Sequence, residues 1–247
     1  MLRPTQPRSR CRPLALPIVF VWALAAGAAS APALPPSTFQ ELVLQPGERR
    51  VTVAVPAGYT GATPVPLVVV LHFAGDITPF YGKHVLAELA EPALRALGAV
   101  IIAPDCPGPD WTDPTSEDAV LRAMEYAEGA FRIDPARTLL TGYSMGAMGT
   151  WYLAARHQDR FRAALVVSGL PLARTAEIEW RIPLYVIHSR DDERLLLKPT
   201  ADAVSRLKTN GADVRLVVVD GVTHYQVSRF APYLRAAVPW IQHAWKR

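Results

Sequence analysis

The sequence predicts an α/β fold in which an eight-stranded, mostly parallel sheet carries helices on both faces. Two observations support this prediction. Short and almost wholly apolar runs of strand length recur along the chain, and segments with helical spacing of apolar residues separate them. Strands that are apolar on both faces are typical of a parallel sheet whose two faces are covered.

The predicted elements alternate along the chain. The first two strands, Phe39–Gln45 and Arg50–Val55, flank Pro46-Gly47-Glu48 and are predicted to form an antiparallel hairpin. The other six are the apolar runs Leu67–His72, Ala99–Ala103, Thr138–Thr141, Ala163–Ser168, Leu184–His188 and Val214–Val219. Helical spacing occurs over Lys83–Leu97, Ser116–Phe131, Met145–Arg156, Lys198–Thr209 and Gln226–Trp240. Because ligands bind at the carboxyl ends of the strands in such sheets, we expect the chemistry in loops that follow strands.

Composition limits the classes of function. A chain of 247 residues that is 50% hydrophobic and 19% charged suits one globular domain and excludes a disordered protein. Four of the 26 basic residues precede Glu41, the first acidic residue, which leaves 22 basic and 22 acidic residues in the rest of the chain. This balance predicts neither nucleic acid nor an anionic membrane as a partner.

The first 33 residues have the pattern of a secretory signal peptide. An arginine-rich start is followed by the apolar run Leu14–Ala29 and by small residues through Ala33. The run contains Pro17 and Gly27 and is shorter than the roughly 20 apolar residues of a membrane span, so we expect cleavage and no membrane span thereafter. Residues 34–247 are the predicted catalytic domain, secreted or periplasmic, with Cys106 as the remaining cysteine.

A serine lies at a predicted strand-to-helix turn. The segment Gly142-Tyr143-Ser144-Met145-Gly146 follows the fifth strand and opens the helix Met145–Arg156, which is the setting of a nucleophile elbow. The motif has glycines two residues before and two residues after the serine. Because glycine has no Cβ, strand and helix can come so close at this turn that a larger residue would clash there. We therefore predict that Ser144 is a nucleophile, and the alternative is a tight turn without chemistry.

A serine hydroxyl needs a base, and the base needs an orienting group. Asp192 follows the seventh strand and His224 follows the eighth, which gives the order Ser, Asp, His that this fold uses. His224 is the predicted base and Asp192 the predicted acid of a triad with Ser144. Asp191 and Asp220 remain alternatives for the acid.

The other histidines have simpler interpretations. His188 ends a strand beside Asp192, and we expect it to form a hydrogen bond that structures its loop. No two histidines stand at ligand spacing on one element, so no metal is predicted. The chemistry expected of the triad needs no organic cofactor.

Two backbone N–H groups are needed to hold the oxyanion of a tetrahedral intermediate. Met145, the residue after the nucleophile, is predicted to supply one of them. The loop after the third strand, His72-Phe73-Ala74-Gly75, is predicted to supply the other from Ala74, with Phe73 as the alternative donor.

Together these residues resemble the α/β-hydrolase superfamily. The segments Ile133-Asp134-Pro135-Ala136-Arg137, the elbow and Gly149-Thr150-Trp151 are similar to small secreted esterases of the predicted-peptidase, dienelactone-hydrolase-like, polyhydroxybutyrate-depolymerase-like and phospholipase/carboxylesterase branches. The resemblance covers about Val51–Trp240 and implies hydrolysis of carboxylic esters through an acyl-enzyme. The alternatives are a serine peptidase of the same fold and an inactive binding protein in which Phe73, where the family usually has glycine, blocks the oxyanion loop.

The chain offers few residues for a cap domain. Only Gly169–Pro183 joins the sixth and seventh strands, so we expect an open site without a cap. Such a site suits a small acyl ester or an ester on a polymer or lipid. Phe73, Trp111 and Tyr225 are candidates for contacting the substrate. Trp180 also lies near the site, although packing at the base of a loop explains it equally well.

Overall fold

A computed structural model describes residues 34–44, 49–172 and 178–247, and the predicted signal peptide and the hairpin turn at Pro46-Gly47-Glu48 lie outside these residues. Eight strands form a single sheet. They are β1 (Thr38–Leu44), β2 (Arg49–Val55), β3 (Val65–Leu71), β4 (Val100–Pro104), β5 (Ile133–Tyr143), β6 (Ala163–Val167), β7 (Leu184–Ser189) and β8 (Val214–Val219).

The strands follow one another across the sheet in the order β1-β2-β4-β3-β5-β6-β7-β8. β2 pairs antiparallel with β1 and with β4, and the strands from β4 to β8 are parallel. The predicted eight-stranded, mostly parallel sheet with helices on both faces is therefore confirmed. The parallel strands place their carboxyl ends, and the loops that follow them, at one edge of the sheet.

Three long helices follow the predictions closely, whereas two predicted helices are divided. The α-helices are α1 (Gly82–Val85), α2 (Glu91–Leu94), α3 (Pro114–Ala130), α4 (Met145–Arg156), α5 (Leu197–Thr209), α6 (Ala231–Ala236) and α7 (Val238–Ala244). A π-helical turn, Leu86–Ala90, joins α1 to α2, and a 3₁₀ turn, Val227–Phe230, precedes α6. Within the residues that the structure describes, no helix has both the length and the apolar character needed to cross a membrane.

Proline positions explain the main differences from the predicted elements. The predicted helix Gln226–Trp240 is interrupted because Pro239 has no backbone N–H, and α7 starts afresh around it. α3 begins two residues earlier than predicted because Asp113 caps it, accepting a hydrogen bond from Thr115 N at 2.8 Å, with Pro114 in its first turn. β5 extends back past Pro135 to Ile133, where its register with β3 shifts.

The core consists of two apolar layers, one on each face of the sheet. Alternate residues of β3 point to opposite layers, because successive side chains in a strand face opposite sides. Leu67, Val69 and Leu71 join the layer with α3, α4 and α5, and Val68 and Val70 join the layer with α2, α6 and α7. The apolar strands are therefore buried on both faces, and they hold the loops at their carboxyl ends in place.

Candidate active site

Ser144 occupies a strained turn between β5 and α4. Its backbone has φ 55° and ψ −116°, a conformation that residues other than glycine adopt rarely and at a cost of about 1–3 kcal/mol. The turn brings strand and helix so close that a Cβ on Gly146 would collide with the carbonyl of Leu71, and one on Gly142 would collide with the carbonyl of Gly146. The two glycines of the motif are therefore steric requirements of the elbow.

A chain of hydrogen bonds runs from Ser144 to Asp192. Ser144 Oγ lies 2.8 Å from His224 Nε2, and His224 Nδ1 lies 2.9 Å from Asp192 Oδ2. Because a carboxylate only accepts hydrogen bonds, the Nδ1 proton points to Asp192, and Nε2 is left to accept from the serine hydroxyl. The structure thus brings together the three side chains that the sequence singles out from three separate loops.

Both carboxylate oxygens of Asp192 accept hydrogen bonds. It is 2% exposed, and its second oxygen, Oδ1, accepts hydrogen bonds from Arg194 N at 3.1 Å and Leu195 N at 2.7 Å. Of the three acids considered, Asp192 is the one that contacts the imidazole. Asp191 accepts from the N–H of Gly221 at 2.6 Å, and Asp220 pairs with Arg190 at 2.8 Å.

Two residues not singled out by the sequence support His224. Glu193 Oε2 accepts a hydrogen bond from the His224 backbone N–H at 2.9 Å, and the Tyr143 hydroxyl donates to the His224 carbonyl. The Tyr143 ring also stacks on the imidazole, with centroids 5.6 Å apart. Burial raises the pKa of Tyr143, so its hydroxyl remains a donor. In the sequence, the signal for Glu193 is the acidic run after β7, and the signal for Tyr143 is an aromatic residue directly before the serine.

His188 is a second buried histidine beside the acid. Its Nε2–H donates to the Leu195 carbonyl at 2.7 Å and lies 3.7 Å from Asp192 Oδ2. Desolvation lowers the pKa of His188, which keeps the ring neutral at ordinary pH. Its role is to support the loop that carries Asp192, as expected for this position.

An open cleft of about 320 Å³ lies at the hydroxyl of Ser144. Ala74 and Met145, the predicted oxyanion donors, both border it, together with His224 and the 75% exposed Tyr225. Met145 is the first residue of α4, where an N–H has no acceptor within the helix and is available to a ligand. The oxyanion role of these two residues stays a prediction, with a position beside the nucleophile that suits it.

Phe73 packs among aromatic rings instead. Its ring meets Tyr81 edge-on at 5.8 Å and Tyr143 at 6.1 Å, and it is not among the described residues that border the cleft. Positive φ among the described non-glycine residues occurs at Phe80, Ser144 and Ser168, so the backbone of Phe73 does not require glycine. A bulky residue therefore fits this turn without backbone strain.

His72 and Trp111 anchor the loop that carries Ala74. The Nδ1–H of His72 donates to the Phe73 carbonyl at 2.8 Å, and its Nε2 accepts from Cys106 N at 3.0 Å. Burial lowers the pKa of His72 to about 4, which matches this neutral tautomer. The Trp111 indole N–H donates to the His72 carbonyl at 2.9 Å.

Trp111, a predicted substrate contact, is buried and borders a cavity next to the cleft. Its side chain has 0% exposed surface and supports the loop at His72, and its contact with substrate stays a prediction. Trp180 is also buried and packs on Trp151 with ring centroids 5.8 Å apart. Tyr225 is therefore the aromatic residue of this set that faces the cleft.

Neither Cys106 nor the potential metal ligands among the described residues form a second reactive site. The Cys106 thiol is buried against Ser116 Oγ at 3.2 Å, and burial raises its pKa to about 11, which leaves it unreactive. In the described part of the chain, no group of three or more His, Cys, Asp or Glu side chains is arranged to hold a metal ion.

Comparison with known proteins identifies the family. The model of a family described as the alpha/beta hydrolase fold matches residues 66–195, just over half of the chain. The chain belongs to the α/β-hydrolase family. The matched segment includes the loop that carries Ala74, the elbow at Ser144 and the loop that carries Asp192, and the resemblance to the α/β-hydrolase superfamily is confirmed.

Two curated relatives of this α/β hydrolase carry the names of enzymes. Feruloyl esterase C of Emericella nidulans is 28% identical over 133 residues, which cover 49% of this chain and 46% of that protein. A putative carboxymethylenebutenolidase of Aquifex aeolicus is 30% identical over 109 residues, covering 43% and 47%. The chain thus spans about half the length of the curated relatives it matches.

The fold of the α/β hydrolase is also found in solved structures. The crystal structure of a thermostable esterase superposes with a TM-score of 0.68 at 22% identity. The match covers 84% of this chain and 63% of the other. At this level of identity the likeness supports the shared fold.

Proposed function

We propose that this protein is a serine hydrolase that cleaves carboxylic esters through an acyl-enzyme, with Ser144, His224 and Asp192 as its catalytic triad. The observation that carries the proposal is the unbroken chain of hydrogen bonds from the serine hydroxyl to a buried carboxylate. The strained elbow that presents Ser144 is a second support, because backbone strain of this kind persists at functional sites.

In the proposed acylation step, Ser144 Oγ attacks the ester carbonyl carbon while His224 Nε2 takes the hydroxyl proton. Asp192 stabilises the imidazolium that forms. The N–H groups of Met145 and Ala74 would hold the oxyanion of the tetrahedral intermediate, a contribution of about 3–4 kcal/mol per donor in comparable sites. Collapse of this intermediate releases the alcohol, which leaves with the proton from His224.

Deacylation repeats these steps with water as the nucleophile. His224 Nε2 takes a proton from the water, and the resulting hydroxide attacks the acyl carbonyl. The second tetrahedral intermediate then expels Ser144 Oγ, which recovers the proton from the imidazolium. The proposed cycle uses side chains, backbone N–H groups and water, and it includes no metal or organic cofactor.

The proposal also covers the substrate class and the cellular location. Esters, small or carried on a polymer or lipid, suit the open cleft, and the name of the feruloyl esterase relative supports this class. We further propose that residues 1–33 direct export and are removed, so that the hydrolase acts outside the cytoplasm, because their arginine-rich and apolar segments follow the plan of a signal peptide.

Turnover of chromogenic esters tests the proposal. The purified chain is expected to hydrolyse p-nitrophenyl butyrate, and Ser144→Ala is expected to lower kcat at least about 10³-fold. Ser205→Ala, an exposed serine on α5, is the matched control and should retain wild-type kcat. Cleavage of chromogenic peptides without ester turnover would indicate a peptidase, and a folded protein active on neither substrate would indicate a binding protein.

A further inference from the structure

A second cavity of about 380 Å³ adjoins the catalytic cleft. Met145 and Met148 border both spaces, so the two adjoin at these side chains. The cavity is lined further by Asp110, Trp111, Thr112, Gly149, Tyr152 and Leu172. Its volume falls in the range of small-molecule sites, which makes it large enough for a part of the substrate.

The proposed chemistry assigns the two sides of Ser144 to the two parts of an ester. The leaving alcohol must lie within reach of His224 Nε2, because this nitrogen returns the proton to it. His224, Tyr225 and Leu195 border the cleft but not the second cavity. The alcohol side is therefore the cleft at His224.

The acyl side is the opposite one. A carbonyl oxygen held by the N–H of Met145 places the acyl carbon next to that residue, and the rest of the acyl group extends away from the alcohol. Met145 and Met148 form the boundary between the cleft and the second cavity. An acyl group that extends past them enters the cavity.

The lining of the cavity indicates which acyl groups fit. Tyr152 and Leu172 are half-buried and supply apolar surface, and methionine side chains adapt their shape to different apolar ligands. The guanidinium of Arg156 lies 5.3 Å from the centre of the Tyr152 ring and steadies it. At the polar end, Asp110 Oδ1 accepts from Thr112 N and Oγ1, at 2.7 and 2.6 Å, so this oxygen is already satisfied.

We infer that this cavity is the acyl pocket, and that the hydrolase prefers esters whose acyl group has an apolar body larger than acetyl. The inference rests on the proposed function, since it assumes that Ser144 is acylated. Each methylene buried in the pocket contributes about 0.8 kcal/mol, or roughly fourfold. Six additional methylenes therefore give a preference for octanoyl over acetyl of at least about tenfold, even when burial is incomplete.

The experiment measures kcat/KM for p-nitrophenyl acetate, butyrate and octanoate, which share one leaving group. The wild-type octanoate-to-acetate ratio is expected to be at least about ten. Leu172→Trp fills the cavity and should lower this ratio about tenfold, whereas Tyr152→Ala enlarges it and should shift the optimum towards longer chains. Val43→Trp, at an exposed position on β1, is the control for a new surface tryptophan and should leave the ratio unchanged.

Comparing ratios between variants removes the intrinsic reactivity of each ester. A wild-type ratio near one, or equal ratios in Leu172→Trp and Val43→Trp, would overturn the acyl-pocket assignment while Ser144-dependent hydrolysis stands. Absence of any Ser144-dependent ester hydrolysis would instead overturn the proposed function, and the acyl pocket with it. The wild-type series alone decides the inference if a variant does not fold.

Discussion

The carboxylate of Glu193 accepts a hydrogen bond from the backbone N–H of His224 over 2.9 Å. It is the third of three consecutive acids that join the loop after β7 to the loop after β8. Asp191 accepts from Gly221 N at 2.6 Å, and Asp192 accepts from His224 Nδ1 at 2.9 Å. His224 is thus held through its backbone by Glu193 and through its ring by Asp192, whereas Asp191 holds the neighbouring Gly221.

Glu193 is predicted to position His224 without touching the substrate. Glu193→Ala removes the acceptor of the His224 N–H and is expected to lower kcat for p-nitrophenyl butyrate by about 3- to 10-fold, the effect of one partly exposed hydrogen bond. KM should stay within about twofold, because no substrate contact is lost. Steady-state kinetics of both parameters provide the measurement.

The conservative variant Glu193→Gln serves as the control for the Glu193 prediction. Its amide oxygen can still accept from the His224 N–H, so it should recover most of the kcat lost in Glu193→Ala. Equal activity in all three proteins would show that this hydrogen bond does not position the histidine.

Asp191 and Asp192 are predicted to differ strongly in their effect on turnover. Asp192→Asn replaces the acceptor of the Nδ1 proton and is expected to lower kcat by roughly 10³- to 10⁴-fold, as for the equivalent change in serine proteases. Asp191→Asn keeps an oxygen for Gly221 N and is expected to stay within about fivefold. Ester hydrolysis at saturating substrate measures both variants, and the reverse ranking would contradict the assignment of the acid.

Gly146 is predicted to be required for the elbow. Gly146→Ala places a Cβ against the Leu71 carbonyl, so the free energy of unfolding should fall by about 2 kcal/mol or more. Gly129→Ala, near the end of α3 with nothing within 4 Å of the added Cβ, is the matched control and should gain about 0.5–1 kcal/mol. Urea denaturation measures both, and similar stabilities would show that the elbow has room for a side chain.

His72 is predicted to make stability fall in acid. Its pKa is about 4 in the folded protein and roughly 6.5 in the unfolded chain. Between these pH values the unfolded state binds a proton that the folded state does not, so stability decreases as the pH falls from about 6.5 and the full penalty is reached below about 4. From pH 7 to 4.5 the expected contribution is about 2 kcal/mol.

His72→Asn supplies the comparison for the acid prediction. Asparagine does not titrate, so the variant should lose about 2 kcal/mol less than the wild type when urea denaturation is repeated at pH 4.5. His188 and the carboxylates are unchanged, and their contributions cancel between the two proteins. An equal loss in both proteins would show that His72 does not titrate in this range.

Much of the sheet was predictable from the sequence because β3, β4, β6 and β7 are buried on both faces. An apolar run such as Leu67–His72 can be recognised as a strand without knowing which strands pair with it. All eight predicted strands overlap observed ones. The divided helices were less predictable, since apolar spacing continues through the π-helical turn Leu86–Ala90 and through Pro239. The spacing of apolar residues indicates which face of a helix is buried, but it does not reveal a local change in the backbone hydrogen-bond pattern.

Within the site, the sequence predicted residues whose type and place carry chemistry. Ser144, Asp192 and His224 follow strands in the expected order, and the structure places them in one hydrogen-bonded chain. The supporting roles of Trp111 and Glu193 depend on contacts across 39 and 31 positions of sequence, which no local pattern encodes. Their contributions become visible when the loops are seen together.

Covalent labelling of the nucleophile tests the central claim most directly. The purified chain is incubated with a fluorophosphonate probe beside Ser144→Ala, and the modified peptide is identified by mass spectrometry. An activated serine with a working oxyanion site is predicted to give labelling at Ser144 and none in the variant. A folded wild-type protein that remains unlabelled, or one labelled equally in both chains, would contradict the proposed triad.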